Sequence, residues 1–111
     1  MVNRLDVLKM KTTHQTIYEN AVSMAAVADE TVNLVVTSPP YPMIEMWDDL
    51  FIRTDSSIRS VLDSGEGRNA FELMHRQLDR VWQEVYRVLK EGGFACINIG
   101  DATRSVDDRF D

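Results

Sequence analysis

The sequence predicts an α/β fold, a mainly parallel sheet fragment with flanking helices, and three stretches predict it. Residues 33–37, Asn-Leu-Val-Val-Thr, are a short apolar run that stops just before two prolines, as a buried strand does. Phe71, Met74, Leu78, Val81, Trp82, Val85, Val88 and Leu89 recur at spacings of three and four, the pattern of one apolar helix face. Residues 94–99, Phe-Ala-Cys-Ile-Asn-Ile, form a second apolar run after a pair of glycines. The opening from Thr16 to Thr37 reads as strand, helix, strand, the repeating unit of a parallel sheet, and the run from Phe94 reads as the next buried strand.

Taken in order, Thr16-Ile-Tyr-Glu19 is a short strand candidate, and Asn20 offers an N-cap to a helix from Ala21 to about Ala28, with Met24, Val27 and Ala28 on one face. Asp29-Glu-Thr closes that helix, and the strand at 33–37 follows. Residues 42–51 carry Met43, Ile44, Met46, Trp47 and Phe51, a group that either caps a pocket or packs on the sheet. Residues 53–68 are polar, contain Gly65 and Gly67, and show only a weak apolar cluster at Ile58, Val61 and Leu62. They read as a mobile excursion with room for one helical turn or more, either a lid or DNA-contacting loop or a solvated linker. Asn69-Ala-Phe-Glu72 has the form of a capping box for the long helix, Arg80 and Glu84 stand four apart on its polar side, and Gly92-Gly93 supplies its stop. The strand from Phe94 ends in a Gly100-Asp101 turn.

Bulk composition sets further bounds. With 111 residues, 44% hydrophobic and 27% charged, the chain has the composition of one globular domain with a core. No run approaches a membrane span and the N-terminus lacks a secretory pattern, so the cytoplasm is the expected location and no membrane partner is expected. Cys96, the single cysteine, is expected to be a small buried hydrophobe. His14 and His75 have no clustered partners, so ligand spacing offers no metal site. The net charge of −6 has the wrong sign for a chain that draws its affinity from phosphate neutralisation, which argues against the whole of a DNA-binding face lying here.

The chemistry concentrates in Ser38-Pro39-Pro40-Tyr41, beyond the carboxyl end of the first long strand, where ligands of parallel sheets bind. The exocyclic amino nitrogen of a nucleobase is a poor nucleophile because its lone pair is conjugated into the ring. Two hydrogen-bond acceptors on its N–H groups draw that lone pair out of the plane. Ser38 Oγ can be one acceptor and the Pro39 carbonyl the other. Each proline fixes its own φ and biases the preceding residue toward extended geometry, so both oxygens are preorganised. Tyr41 offers a flat face for a base lifted out of its stack.

Thr37-Ser38-Pro39-Pro40-Tyr41 resembles the catalytic motif of the amino-group DNA methyltransferases that use S-adenosylmethionine, Asp/Asn/Ser-Pro-Pro-aromatic, and the similarity extends over about residues 15–104. It implies a partial Rossmann-like methyltransferase fold, S-adenosylmethionine as cofactor, and DNA with a flipped cytosine as substrate partner. Ser at the first motif position goes mostly with N4-cytosine methylation, and the runner-up is N6-adenine. RNA or a protein glutamine is a further substrate alternative, and a non-catalytic subunit that binds a partner is a rival of another class. The resemblance assigns Ser38, Pro39, Pro40 and Tyr41 to catalysis and places Asn20, Thr37, Asn98 and Asp101 near the cofactor, with a strand-end cap as the alternative role of Asn98 and a turn residue as that of Asp101. It also implies a restriction–modification setting.

Two departures qualify it. Similar proteins often have Gly-Asp where this chain has Glu19-Asn20, so Asn20 is either an adenine contact or only a helix cap. The Phe-x-Gly-x-Gly-like cofactor segment is not in these residues, which matches family members whose catalytic half comes first. Residues 1–111 are therefore expected to be an incomplete methyltransferase domain. Its uncovered strand edge and helix face predict association with a missing C-terminal half, a companion chain or another copy.

Overall fold

A computed structural model describes residues 10–100. The elements run β1 (Val32–Thr37), a 3-10 turn (Glu45–Trp47), α1 (Asp48–Thr54), α2 (Ser57–Asp63), α3 (Gly67–Val88) and β2 (Leu89–Ile97). The two strands pair in parallel, as the fold class predicts, but the strand-helix-strand unit is β1, α3 and β2 and not the opening stretch 16–37. Leu34 to Thr37 face Phe94 to Ile97 in unbroken register. Val32, however, faces Leu89, so residues 90–93 bulge out of the ladder. Gly93 makes the bulge sterically feasible: a Cβ there would stand 2.9 Å from the Lys90 carbonyl oxygen and 3.1 Å from that of Asn33.

The principal core lies between helices and not under the sheet. Met43, Phe51, Ile58, Leu62, Ala70, Met74 and Leu78 are buried together, with Trp47, Ile52, Val61, Leu73 and Trp82 packed around them. Further along α3, Val85 and Val88 are also buried. Met43 holds a φ of 66°, a left-handed conformation uncommon for a large side chain, and its N–H donates to Met74 Sδ at 3.2 Å.

The C-terminal turn of α3 is fastened to the segment that leads into β1. Arg87 donates to both Glu84 carboxylate oxygens at 3.0 and 2.9 Å, to Asp29 Oδ1 at 2.6 Å, and to the carbonyls of Val27 and Met24 at 3.0 and 2.9 Å. Glu84 also accepts from the Met24 N–H at 2.6 Å, while the Glu30 and Thr31 N–H groups donate to the Arg87 and Val88 carbonyls. The Arg87 hydrogen bonds, followed by the Met24 N–H, hold the Glu84 carboxyl down at about 2, and Glu84 and then Asp29 raise the Arg87 guanidinium.

Several expectations need correction. Residues 16–19 form no strand, so the described sheet has two strands and not three. Residues 20–28 make turns rather than a helix: Ser23 N–H bonds to the Asn20 carbonyl, Val27 N–H to that of Met24, and the Asn20 side chain accepts from Val22 N–H in an Asx turn. Residues 53–68 are not a solvated excursion, because α2 buries Ile58 and Leu62 completely or nearly so, at 0% and 7% exposure. The capping box is not used, since α3 starts two residues ahead of Asn69, from Glu66 and without a side-chain cap. Gly92-Gly93 does not stop the helix either; α3 passes into β2 at Leu89, whose backbone is extended. Glu84 pairs with Arg87 and not with Arg80, because the Arg87 side chain also gathers the carbonyls of residues 24 and 27.

Neither the first strand nor Cys96 is buried. Leu34, Val36 and Phe94 are 55%, 73% and 72% exposed, and Cys96 is exposed too. In this register the four side chains share one sheet face, and nothing among the described residues covers it.

Two measurements test this packing. Ile58→Ala should cost about 2–5 kcal/mol in denaturant unfolding; a change within experimental error would return residues 53–68 to solvent. Glu84 is held below its ordinary value, so its contribution is complete above about pH 4.5 and fades as pH falls toward about 2. The difference in melting temperature between the protein and its Glu84→Gln variant should therefore be widest near neutrality and close through that window.

Candidate active site

The carboxyl end of β1 is extended by one further ladder bond, from Asn98 N–H to the Thr37 carbonyl at 2.9 Å. Ser38 follows Thr37 immediately, so its position is fixed by paired backbone on its N-terminal side and by two prolines after it. Pro39 and Pro42 are buried, Pro40 and Tyr41 are half-buried, and Ser38 is exposed. The loop closes on itself through the Ile44 N–H, which donates to the Tyr41 carbonyl at 3.3 Å.

Three side chains converge at the strand ends. Ser38 Oγ and Tyr41 Oη are 3.0 Å apart, and the Asn98 side-chain amide donates to Tyr41 Oη at 3.3 Å. The Tyr41 ring lies against Gly100: a Cβ at position 100 would stand 3.0 and 3.2 Å from Cδ2 and Cε2 of the ring and 3.5 Å from Ile44 Cδ1. Tyr41 is thus held at its hydroxyl and along one edge.

A cleft of about 410 Å³ opens on the other side of the loop. Asn20, Thr37, Ser38, Pro39 and Pro40 border it together, opposite Phe51, Leu78, Val81 and Trp82. Of the residues assigned to the cofactor, Asn20 and Thr37 reach this cleft, Asn98 is bound to Tyr41 instead, and Asp101 lies outside the described residues. The apolar wall with Trp82, facing the Asn20 and Thr37 polar groups, suits a flat heterocycle such as adenine. No glycine and no carboxylate borders the cleft, so the residues present do not fit the methionine and ribose parts of S-adenosylmethionine.

The apolar stripe by itself gives α3 a core role and no place in the site, yet Gln77, Arg80 and Trp82 line the cleft. Gln77 also ties α3 to α1 by donating to the Phe51 carbonyl at 2.9 Å. A signal existed, since Gln77 and Arg80 flank the apolar stripe at Leu78 and Val81 on the side toward the motif. His75 packs against Phe71 with ring centroids 4.2 Å apart and the two planes tilted by 49°. Among the described residues no three His, Cys, Asp or Glu side chains gather to hold a metal, and no helix is long and apolar enough to cross a membrane.

A family model described as DNA methylase, covering N6 and N4 amino-methyltransferases, matches residues 32–108. The Type II methyltransferase M.MthZI of Methanothermobacter thermautotrophicus is 48% identical over 102 residues, 91% of this chain and 29% of the relative. The Type II methyltransferase M.MjaI of Methanocaldococcus jannaschii is 46% identical over 114 residues, 93% of this chain and 38% of the relative. The Type II methyltransferase M.SfiI of Streptomyces fimbriatus is 31% identical over 80 residues, 71% of this chain and 16% of the relative. The chain spans about a third of the length of the first two of these curated relatives. No solved structure gives a significant match.

The Gly100 contact is open to direct test. Gly100→Ala should push the Tyr41 ring away and cost about 1–3 kcal/mol by overpacking. Ring-proton NOEs from Tyr41 to Ile44 should weaken with it; an unaltered NOE pattern would contradict the packing.

Proposed function

The chain belongs to the DNA methylase family, and from that premise we propose that its residues 38–41 orient an exocyclic amino group of DNA for methylation, with cytosine N4 as the target. The observation that carries this reading is the exposed Ser38 hydroxyl at the carboxyl end of a paired strand, beside a half-enclosed cleft, with Tyr41 fastened next to it. Ser38 Oγ and the Pro39 carbonyl each accept from one amino hydrogen. With both hydrogens held, the nitrogen lone pair leaves conjugation and faces the methyl donor. The Tyr41 ring receives the extruded base. Ser rather than Asp at position 38 favours cytosine N4 over adenine N6.

S-adenosylmethionine supplies the electrophilic methyl group in this reading. Asn20 and Thr37 would border its adenine end, and the remaining contacts would come from polypeptide outside these residues. The work of this chain is positioning and electrostatics, both effective only when the acceptors are preorganised.

The same reading makes residues 1–111 the catalytic portion of a larger Rossmann-like methyltransferase domain. The exposed face of Leu34, Val36, Phe94 and Cys96 supports it, because parallel sheets are ordinarily covered on both faces. Covering that face and supplying most of the DNA-binding charge fall to the additional polypeptide, since this chain carries a net −6.

Nucleoside mass spectrometry on DNA from cells expressing the complete protein that carries this chain, beside its Ser38→Ala version, tests the proposal. N4-methylcytosine should accumulate and fall by roughly 10²–10³ in initial rate with the mutation, the scale of losing one preorganised hydrogen-bonding group. N6-methyladenine that depends on Ser38 would reassign the base; no methylated base from soluble protein would overturn the DNA reading.

A further inference from the structure

Asn98 stands on β2's extension, yet its side chain serves the motif loop that follows β1. Its own N–H is committed to the Thr37 carbonyl at 2.9 Å, which pins its backbone to the strand end immediately before Ser38. Its side-chain amide then donates to Tyr41 Oη at 3.3 Å, and Tyr41 Oη lies 3.0 Å from Ser38 Oγ. Residue 98 therefore meets the motif at both ends, through backbone at Thr37 and through side chain at Tyr41.

We propose that Asn98 is a positioning residue that acts through the Tyr41 hydroxyl to hold Ser38 Oγ in place as an acceptor for the substrate amino group. The inference rests on the methylation reading given above and names how its serine is aimed. The amide nitrogen can only donate, so the phenolic oxygen must accept from it. The contact between the two hydroxyls then runs in either direction, and in both Ser38 Oγ keeps at least one lone pair for an incoming N–H. What Asn98 removes is rotational freedom. An exposed serine samples three rotamers, whereas one bonded to a tyrosine that is itself held at its hydroxyl and against Gly100 is confined near one. Confinement of this kind raises the rate of the chemical step without adding affinity for either substrate.

This role differs from a cofactor contact, and a double-mutant cycle separates the two. In the complete protein carrying this chain, Asn98→Ala should lower kcat roughly five- to tenfold, the worth of about one hydrogen bond, and leave KM for S-adenosylmethionine unchanged. Tyr41→Phe keeps the ring and removes the hydroxyl, so it should cost a similar factor. The double variant should then be no slower than Tyr41→Phe alone. Full multiplication of the two losses, or a raised KM for S-adenosylmethionine in Asn98→Ala, would overturn the proposal.

A second readout does not depend on turnover. The Asn98 side-chain amide protons should shift in the NMR spectrum of Tyr41→Phe, and matching melting temperatures would establish that the fold is intact. Unmoved amide resonances would overturn the proposal even in an active enzyme. A wild-type protein that binds DNA and cofactor but transfers no methyl group would instead overturn the functional reading, and the catalytic part of this inference with it.

Discussion

The Arg87 guanidinium is the interaction on which the arrangement of β1, α3 and β2 depends. It sits on the last turn of the crossover helix and collects Glu84, Asp29 and the carbonyls of residues 24 and 27, the stretch that feeds β1. Because α3 runs into β2 at Leu89 without a loop, fixing that turn fixes where β2 begins. The register Leu34 to Phe94 follows from both strands departing a common anchor, and residues 90–93 bulge to absorb the slack. An exposed ion pair alone contributes little. This one carries weight because one planar donor satisfies several carbonyl and carboxylate oxygens that a turn-rich segment leaves without helical partners.

Stability and site are then divided between two regions. The helical cluster around Ile58 and Met74 holds the main core, and the short sheet presents its carboxyl end to the motif loop while leaving one face bare. Met43 links the two: it follows the motif by two residues, adopts φ 66°, and buries its side chain in the helical core with its N–H on Met74 Sδ. That strained residue keeps the loop from continuing as an extended chain and returns it across the core. The motif is thus anchored by the strand on one side and by the core on the other, so the prolines need only fix the few residues between.

What could be read from the sequence and what could not divides along physical lines. The periodic stripe from Phe71 to Leu89 identifies its helix because a long amphipathic repeat admits one interpretation, and the apolar run before Ser38-Pro39 identifies its strand because proline ends it. Residues 53–68 hid the short helix α2, since a seven-residue helix shows barely two turns of pattern and Ile58 and Leu62 are its only buried side chains. Cys96 and Val36 misled in the opposite direction: apolar strand residues signal burial only when a covering layer is present, and the described residues do not provide one. Within the site, strand-end logic placed the motif, whereas Asn20 at the same cleft was implied by the family resemblance alone, since residues 16–19 form no strand. The Asn98 to Tyr41 hydrogen bond was not visible, because it joins residues 57 positions apart through a register that sequence does not state.

The choice of serine over a carboxylate at position 38 is consistent with the electrostatics of the cleft. In the proposed reaction the amino nitrogen becomes transiently cationic as it gains a methyl group, and a cationic amine of a conjugated base is acidic enough to lose its proton without a strong base nearby. A neutral hydroxyl oxygen and a carbonyl dipole suffice to orient such a group, provided they do not have to reorganise. The cleft borders no carboxylate, and the charged side chain that lines it is Arg80. Precision of placement, rather than charge, is then what the site must supply. The ladder bond at Thr37, the two prolines, Gly100 behind the Tyr41 ring and the Asn98 amide all act on that one requirement.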